Sequence, residues 1–482
     1  MLDPILGGLL LYLALMVGVG LYTSRYMRSL DDFVLGGRRL GPWVSALSER
    51  ASGESAWFLL GLPGAAYGVG FVEFWSVIGI ACGILFSWTF IAVPLRRESA
   101  RLGALTLPDY FDLRFGGRSR SLRLFAMVAI LVFYVAYVAA QLSGAGKILN
   151  ATFGLDLHTG IWVGAAVVVF YTLMGGFLAV AWTDVVQGLL MTLVAVALPV
   201  LGVLHLGGPG ELWARVAAHD PGLLHMHAGK TGAAFLFGVA FAGLSWGFGY
   251  LGQPHLLARY MAIRATRELP KGQLIAMGWV LLSYWGAPMI GLVGLAILGP
   301  NLADPEQVMP LLAKQLLPGW LAGLMIAGAV AAMMSTADSQ LLVAASTVVE
   351  DAYVRLLGRR STPARLVLLS RVITFAIAGV ALGLALTQSG SSGIINSTVA
   401  YAWTGLGASF GPPLVLALWW RGTTRQGALA GMLGGISATI VWKQVPALGQ
   451  ILDLKAAPVL ISAALVLVVS ALGPGARRSP AG

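Results

Sequence analysis

A chain of 482 residues that is 58% hydrophobic and 11% charged, with a mean hydropathy of +0.82, lies far from the roughly 25% charged content of soluble domains. That class is excluded. The net charge of +11 would suit nucleic acid only on a continuous basic surface, yet the arginines cluster in short connections between apolar runs. The single cysteine, Cys82, excludes an intrachain disulfide.

Apolar runs able to cross hydrocarbon, about 20 residues each, recur along the chain and predict an all-α integral membrane protein. Thirteen spans are expected, near 3–23, 42–65, 70–95, 121–148, 158–178, 183–206, 233–257, 272–298, 319–350, 365–387, 394–419, 426–443 and 456–473. They leave no space for a soluble domain, so 1–482 reads as one polytopic unit. The first run has no basic leader or small-residue cleavage site and reads as a spanning helix rather than a signal peptide. Longer connections are expected only around Gly207–Gly232 and the amphipathic Leu105–Phe115.

Orientation follows from the basic residues. Alternate connections, beginning with the one that holds Arg25, Arg28, Arg38 and Arg39, carry 24 of the 31 Lys and Arg, the rest of that set lying at 96–123, 259–271, 355–371, 421–425 and 477–478. This predicts an amino terminus outside and a carboxyl terminus in the cytoplasm, as an odd number of spans requires.

Two spans are interrupted. The second holds Ser48-Glu49-Arg50-Ala51-Ser52-Gly53-Glu54-Ser55 between apolar stretches. A charge at the centre of a spanning helix costs about 2.5–3.5 kcal/mol, so three ionisable residues there are not expected to face lipid. The break is expected at Ala51–Glu54. The seventh span reads Gly243-Leu-Ser-Trp-Gly-Phe-Gly-Tyr-Leu-Gly-Gln-Pro254. Broken helices five spans apart are the sequence pointer to an inverted repeat with a binding site at the midplane, which makes a secondary transporter the leading class.

In the ninth span, Ser335, Asp338 and Ser339 stand at i, i+3 and i+4 and share one helix face. Hydroxyl and carboxylate oxygens there, with carbonyls freed by the break in the second span, suit a hard monovalent cation. Hydroxyls bonding back to their own helix are the plainer alternative, which does not account for Asp338. Asp184, read as the start of the sixth span, either caps free N–H groups or stands at the exit of an ion path. Tyr137, Trp246 and Tyr250 lie in or near the polar breaks, where aromatic rings suit an apolar ring with a charged end. No zinc-type cluster or hydrolytic triad is present and the six histidines are scattered, so no enzyme is expected.

The order of motifs resembles the sodium/solute symporter family, and most closely its bacterial sodium/proline symporters. It rests on Leu35-Gly-Gly-Arg38, Ala51-Ser52 with Ser55-Ala56-Trp57, Gly61-Leu-Pro-Gly-Ala65 and Leu105-Thr-Leu-Pro-Asp-Tyr-Phe111. It continues through Gly175-Gly-Phe-Leu-Ala-Val with Trp182-Thr-Asp184, Trp246-Gly-Phe-Gly-Tyr-Leu-Gly-Gln-Pro-His255, Met334-Ser-Thr336 and Gly405-Leu-Gly-Ala-Ser-Phe-Gly-Pro412.

The resemblance implies a leucine-transporter-type five-plus-five inverted repeat, with repeats at 42–206 and 233–419, one extra helix at 3–23 and two at 426–473. It implies a sodium site from the carbonyls of Ala51, Glu54 and Ala332 and the hydroxyls of Ser335 and Thr336. Substrate would lie near Ser55, Ala56, Trp57, Tyr137, Trp246, Tyr250 and Pro254. Arg38 and Asp184 match positions tied to ion coupling, and Asp184, Asp338 and Ser339 match a second ion site of some members. One departure stands out: the proline symporters carry aspartate where this chain has Gly53, and either Glu54 or Asp338 is a candidate to replace that charge. The expected activity is sodium-coupled import of a small amino acid, L-proline first, in a plasma membrane, by a single chain. Another organic solute, proton coupling, a channel, or a transporter-like sensor are the rivals.

Overall fold

A computed structural model describes residues 3–24, 34–117, 120–174, 176–359 and 361–473. Arg25, Arg28, Arg118, Gly175, Arg360, Arg477 and Arg478, which entered the orientation and motif arguments, lie outside the described residues.

Each of the thirteen expected spans falls on helix. The first half contains α1 (Pro4–Ser24), α2 (Pro42–Ala56), α3 (Leu62–Val69), α4 (Phe74–Phe86), α5 (Ala92–Leu102), α6 (Leu107–Arg114), α7 (Arg120–Phe153), α8 (Leu157–Met174) and α9 (Phe177–Leu206). Then follow α10 (Pro209–His219), the broken stretch Gly232–Leu251, α11 (Pro254–Ala262), α12 (Leu269–Ser283), α13 (Gly286–Leu298), α14 (Val308–Leu316) and α15 (Gly319–Ser346). The chain closes with α16 (Pro363–Thr387), α17 (Ile394–Trp419), α18 (Arg425–Gln444) and α19 (Ala457–Leu472). Seven helical segments among the described residues are long and apolar enough to cross a membrane. One of them, Pro42–Leu102, runs for 61 residues, about three times what about 30 Å of hydrocarbon needs. Gly70 (φ 67°) divides it into two crossings, and a Cβ there would fall 2.2 Å from the Leu223 carbonyl oxygen.

The centre of the bundle is α15. Its run of alanines, glycines and hydroxyls lets α1, α2, α7 and α9 all pack on it, because small residues permit close backbone approach in lipid. A Cβ on Gly323 would come within 2.1 Å of the Ile5 carbonyl oxygen of α1. Outward faces are apolar, as at Leu204, Leu274 and Phe375, which are more than half exposed. These sites face lipid in a multi-pass membrane protein.

Candidate functional site

Both interruptions are real, and side chains from neighbouring helices satisfy the backbone groups they free. In the first, the break falls at Ser55 (φ 51°, ψ −179°), one residue beyond the expected Ala51–Glu54. The freed N–H of Ser55 donates to Thr336 Oγ1 at 3.0 Å, and that of Ala56 donates to Gln141 Oε1 at 2.7 Å. On the carbonyl side, Ser335 Oγ donates to Ala51 O at 2.9 Å and Ala332 O at 3.1 Å, while Thr336 Oγ1 donates to Ser52 O at 2.9 Å. A buried backbone polar group left alone costs free energy, so these hydroxyls explain how the helix can break inside the bundle. They also bring Ala51 O, Ala332 O and Ser335 Oγ to one place, a set of hard oxygen donors.

The second break runs as a tight helical turn over Ser245–Leu251 and an extended Gln253 before α11. Gln253 Nε2 donates to Trp403 O at 2.9 Å, and Trp403 Nε1 donates to Trp246 O at 3.0 Å, tying the break to α17. Its glycines let α4 lie against bare backbone: a Cβ on Gly83 would sit 2.3 Å from the Gly247 carbonyl oxygen.

Between the breaks lies a small cavity lined by Gly53, Ser55, Trp57, Ile80, Tyr137, Trp246, Tyr250, Val399 and Trp403. Its free volume is about 10 Å³, about what one water needs, so the side chains leave no room for a solute at its centre. Of the seven expected substrate residues, Ser55, Trp57, Tyr137, Trp246 and Tyr250 line it. Ala56 and Pro254 do not: the Ala56 amide turns to Gln141, and Pro254 begins α11. Sequence reasoning missed Trp403 and Gln141, which sit on spans with no interruption to mark them.

The charged residues divide into two groups. Arg50 pairs with Glu49 and, at 3.0 Å, with Glu54; Tyr284 donates to Glu54, and Trp88 Nε1 donates to Glu49 at 3.1 Å. Tyr284 in turn bonds Tyr250 at 3.0 Å, and the Arg50 guanidinium lies 5.2 Å from the Tyr250 ring centroid. The Glu54 carboxylate therefore braces a wall of the cavity. The other group surrounds Asp184, whose Oδ2 accepts from Ser48 (2.6 Å), Ser52 (2.9 Å) and Arg259 (3.1 Å). Ser339 Oγ meets both Ser52 Oγ (2.9 Å) and Arg259 (2.6 Å). Asp184 is not a helix cap, because α9 begins at Phe177 and places it two turns inside. Asp338 is fully buried, and neither of its carboxylate oxygens, nor Oδ1 of Asp184, has a hydrogen-bond partner among the described residues.

Three expectations need correction. Ser335 turns to the break while Ser339 turns to Asp184 and Arg259, so the i, i+3, i+4 face serves two clusters rather than one. Neither Glu54 nor Asp338 supplies a carboxylate at Gly53: the first is held by Arg50 and Tyr284, and the second lies within electrostatic reach of Tyr12, Tyr171 and Asp184. A Cβ on Gly53 would reach Leu256 at 3.4 Å and Arg50 at 3.8 Å. Arg259, Arg96 and Arg123, counted among the loop arginines, are buried. Arg123 joins Asp109, Asp112 and Asp351, at 2.5–2.8 Å.

The two ends of the path differ. On the arginine-rich side, Arg38 donates to Met261 O (2.8 Å) and Ala104 O (2.6 Å), and Arg96 to Ile263 O (2.7 Å). Leu40 also lies in a parallel bridge opposite Ile263, its N–H donating to Ala262 O (3.2 Å) and its carbonyl accepting from the Arg264 N–H (2.9 Å). On the opposite side a chamber of about 600 Å³ reaches down to Trp246 and Asn396. Both lining residues lead on to Trp57, whose ring centroid lies 4.5 Å from that of Trp246 and whose Nε1 donates to Asn396 at 2.7 Å.

Residues 33–435 match the sequence model of the Sodium:solute symporter family. The chain belongs to this family. It is thus a sodium-using membrane transporter and not an enzyme. Among its relatives is the High-affinity proline transporter PutP of Bacillus subtilis, 40% identical over 433 residues and covering 89% of each chain. The Sodium/proline symporter of Escherichia coli is 38% identical over 454 residues, 92% of this chain and 89% of its own. A Na+-coupled sialic acid symporter, solved in a substrate-bound outward-open state, superposes with a TM-score of 0.82 at 20% identity over 99% of both chains. The symporter fold is thereby established, with the paired interrupted spans as its central feature.

Proposed function

We propose that this symporter imports L-proline with sodium. One observation carries the reading: the residues that line the cavity and the oxygens that gather at α15 belong to the same few residues of the first break. Ala51 and Ser52 face Ser335 and Thr336, and Ser55 faces the cavity. The proline-named relatives at 35–40% identity support the cargo.

In this reading the carbonyls of Ala51, Glu54 and Ala332 and the hydroxyls of Ser335 and Thr336 take the sodium ion. The two hydroxyl protons turn away from Ala51 O and Ser52 O as it enters. The ion then fixes the Ser55 bend, and the bend fixes the cavity wall. Ion and solute strengthen one another by the same coupling free energy. Trp57, Trp246, Tyr137 and Tyr250 enclose the pyrrolidine ring, while polar groups freed near Ser55 receive its charged end. The amino terminus lies outside, so the chamber faces outward, and Arg38 and Arg96 hold the cytoplasmic side shut until the two repeats (42–206 and 233–419) rock past one another. A single chain suffices.

When both are ionised, Asp184 and Asp338 set two negative charges against the one positive charge of Arg259. Unpaired buried carboxylates are costly, and the free oxygens on Asp338 and Asp184 favour a second monovalent cation there, a sodium ion or a proton.

The experiment is radiolabelled L-proline uptake into proteoliposomes under inward sodium, potassium or proton gradients. Saturable accumulation with sodium alone is expected. Accumulation driven by protons alone would transfer the coupling role to the Asp184–Asp338 pair, and no uptake under any gradient would overturn the cargo.

A further inference from the structure

The first helix meets the bundle unevenly along its length. In its first turns α1 lies against α15 backbone to backbone: a Cβ on Gly8 would fall 2.5 Å from the Trp320 carbonyl oxygen. Midway, Tyr12 Oη donates to Met334 Sδ (3.8 Å) and accepts from Gln187 Nε2 of α9 (2.9 Å). Farther on, a Cβ on Gly18 would meet nothing within 4 Å. There a groove of about 900 Å³ opens between α1 and α9, lined by Leu15, Gly18, Tyr22, Trp182 and Val186 and joined by Arg39. Among the described residues no other helix lines it. It faces outward from the bundle, since Leu15, Tyr22 and Trp182 are each about half exposed.

Charge and ring placement identify what covers it. Tyr and Trp collect where hydrocarbon meets headgroups, and Tyr22 and Trp182 line the groove together with Arg39, its one charged lining residue. Arg39 is exposed, and its Nε donates to Gly36 O at 3.3 Å, which steadies the guanidinium beside the groove. The surrounding stretch 25–39 carries four arginines against two aspartates, a net positive charge. A guanidinium fork matches the oxygens of a phosphate, and basic pockets between spanning helices receive anionic headgroups.

From this arrangement we infer that the groove is a binding site for an anionic phospholipid of the phosphatidylglycerol type. Its phosphate meets Arg39, and one acyl chain lies between α1 and α9. Val185 and Val186 line the groove while Asp184 and Gln187, on the other face of α9, are fully buried. The lipid therefore supports the helix that carries the Asp184 carboxylate without touching that carboxylate. This holds whichever solute is carried.

Fluorescence quenching by brominated lipids, on the purified full chain in phosphatidylcholine vesicles, tests it. The chain has 15 tryptophans, so the groove signal is the part of the quenching that Trp182→Phe loses. Brominated phosphatidylglycerol should reach half of that signal at a mole fraction about five-fold below that of brominated phosphatidylcholine, the effect of one cation near an anionic headgroup. Arg39→Gln should erase the difference. Gly18→Leu, whose side chain would enter the groove, should lower the signal with both lipids, and Arg267→Gln, exposed on another connection, should behave as the parent. Equal quenching by the two lipids, or a preference that survives Arg39→Gln, would overturn the assignment. Inorganic phosphate should not compete, because it has no chain to lodge; if it abolished the preference, Arg39 would be a simple anion site and the lipid role would fall. If neither brominated lipid reaches Trp182 while other tryptophans are quenched, protein covers the groove, and the lipid gives way to a second copy of the chain.

Discussion

The two buried charge clusters lie on opposite sides of the same helix, and they are built in opposite ways. Around Arg50, both carboxylates are paired and bonded: Glu49 has Arg50, Trp88 and Tyr260, and Glu54 has Arg50 and Tyr284. Around Arg259, one carboxylate is half-satisfied and the other, Asp338, has no hydrogen bond among the described residues. A saturated cluster can only hold shape, since every oxygen is committed. An unsaturated one retains oxygens for something that arrives and leaves. Polar groups buried in a membrane are costly in either case; the first cluster offsets that cost internally, while the second leaves both oxygens of Asp338 and Oδ1 of Asp184 without a hydrogen-bond donor among the described residues.

The largest effect should come from opening the saturated cluster. Arg50→Met leaves Glu49 and Glu54 buried without a cation, a change that costs about 3–5 kcal/mol for a broken buried pair. Thermal unfolding of the detergent-solubilised protein should show a large drop or no folded material. A melting temperature equal to the parent's would show that the cluster is not structural.

Asp338→Asn sharpens the contrast, because the carboxylate has no hydrogen bond among the described residues and a like charge beside Asp184 is removed. Stability should hold or rise, while the sodium concentration for half-maximal uptake rises about ten-fold, the effect of about 1.4 kcal/mol. If instead the protein unfolds early and keeps its sodium dependence, Asp338 belongs with the structural group.

Ser335→Ala and Thr336→Ala should lie between these extremes. Each removes one hydroxyl from the break, about 1 kcal/mol of stability, and each should raise the half-saturating sodium concentration several-fold. Two variants with the parent's sodium titration would remove the α15 oxygens from the ion site. Smallest of all is Gly53→Ala, whose methyl group would meet Leu256 at an ordinary 3.4 Å. Folding should be within about 1 kcal/mol of the parent, the helix propensity difference, and only the half-saturating concentration for solute should rise, since Gly53 lines the cavity.

Much of this was legible before any coordinates. Thirteen spans follow from runs of apolar residues, and the two breaks from glycine and polar residues where lipid-facing helix would not tolerate them. Of the five expected residues that line the cavity, Ser55, Trp57, Trp246 and Tyr250 sit at or beside those breaks, whereas Tyr137 lies on the unbroken α7. Arg259 was not: Pro254-His-Leu-Leu-Ala-Arg259 reads as a helix running into a basic connection, and nothing local says that the guanidinium turns inward to Asp184, 75 positions away. Trp403 and Gln141 were hidden for the same reason, since each acts on a break that belongs to a different span.

What the amino-acid order determined by itself is therefore local: which stretches enter the membrane, where two of them cannot stay helical, and, through ordered motifs, the family. These depend on hydropathy and backbone propensity, which act within one turn or one span. Only the tertiary structure decided which oxygens are spoken for. It put the bend at Ser55, because Thr336 and Gln141 take the freed amides there. It committed Glu54 to Arg50 and Tyr284, and left the Asp338 carboxylate without a hydrogen bond among the described residues. Hydrogen bonds between groups hundreds of residues apart depend on distance and direction, and neither exists until the helices have packed.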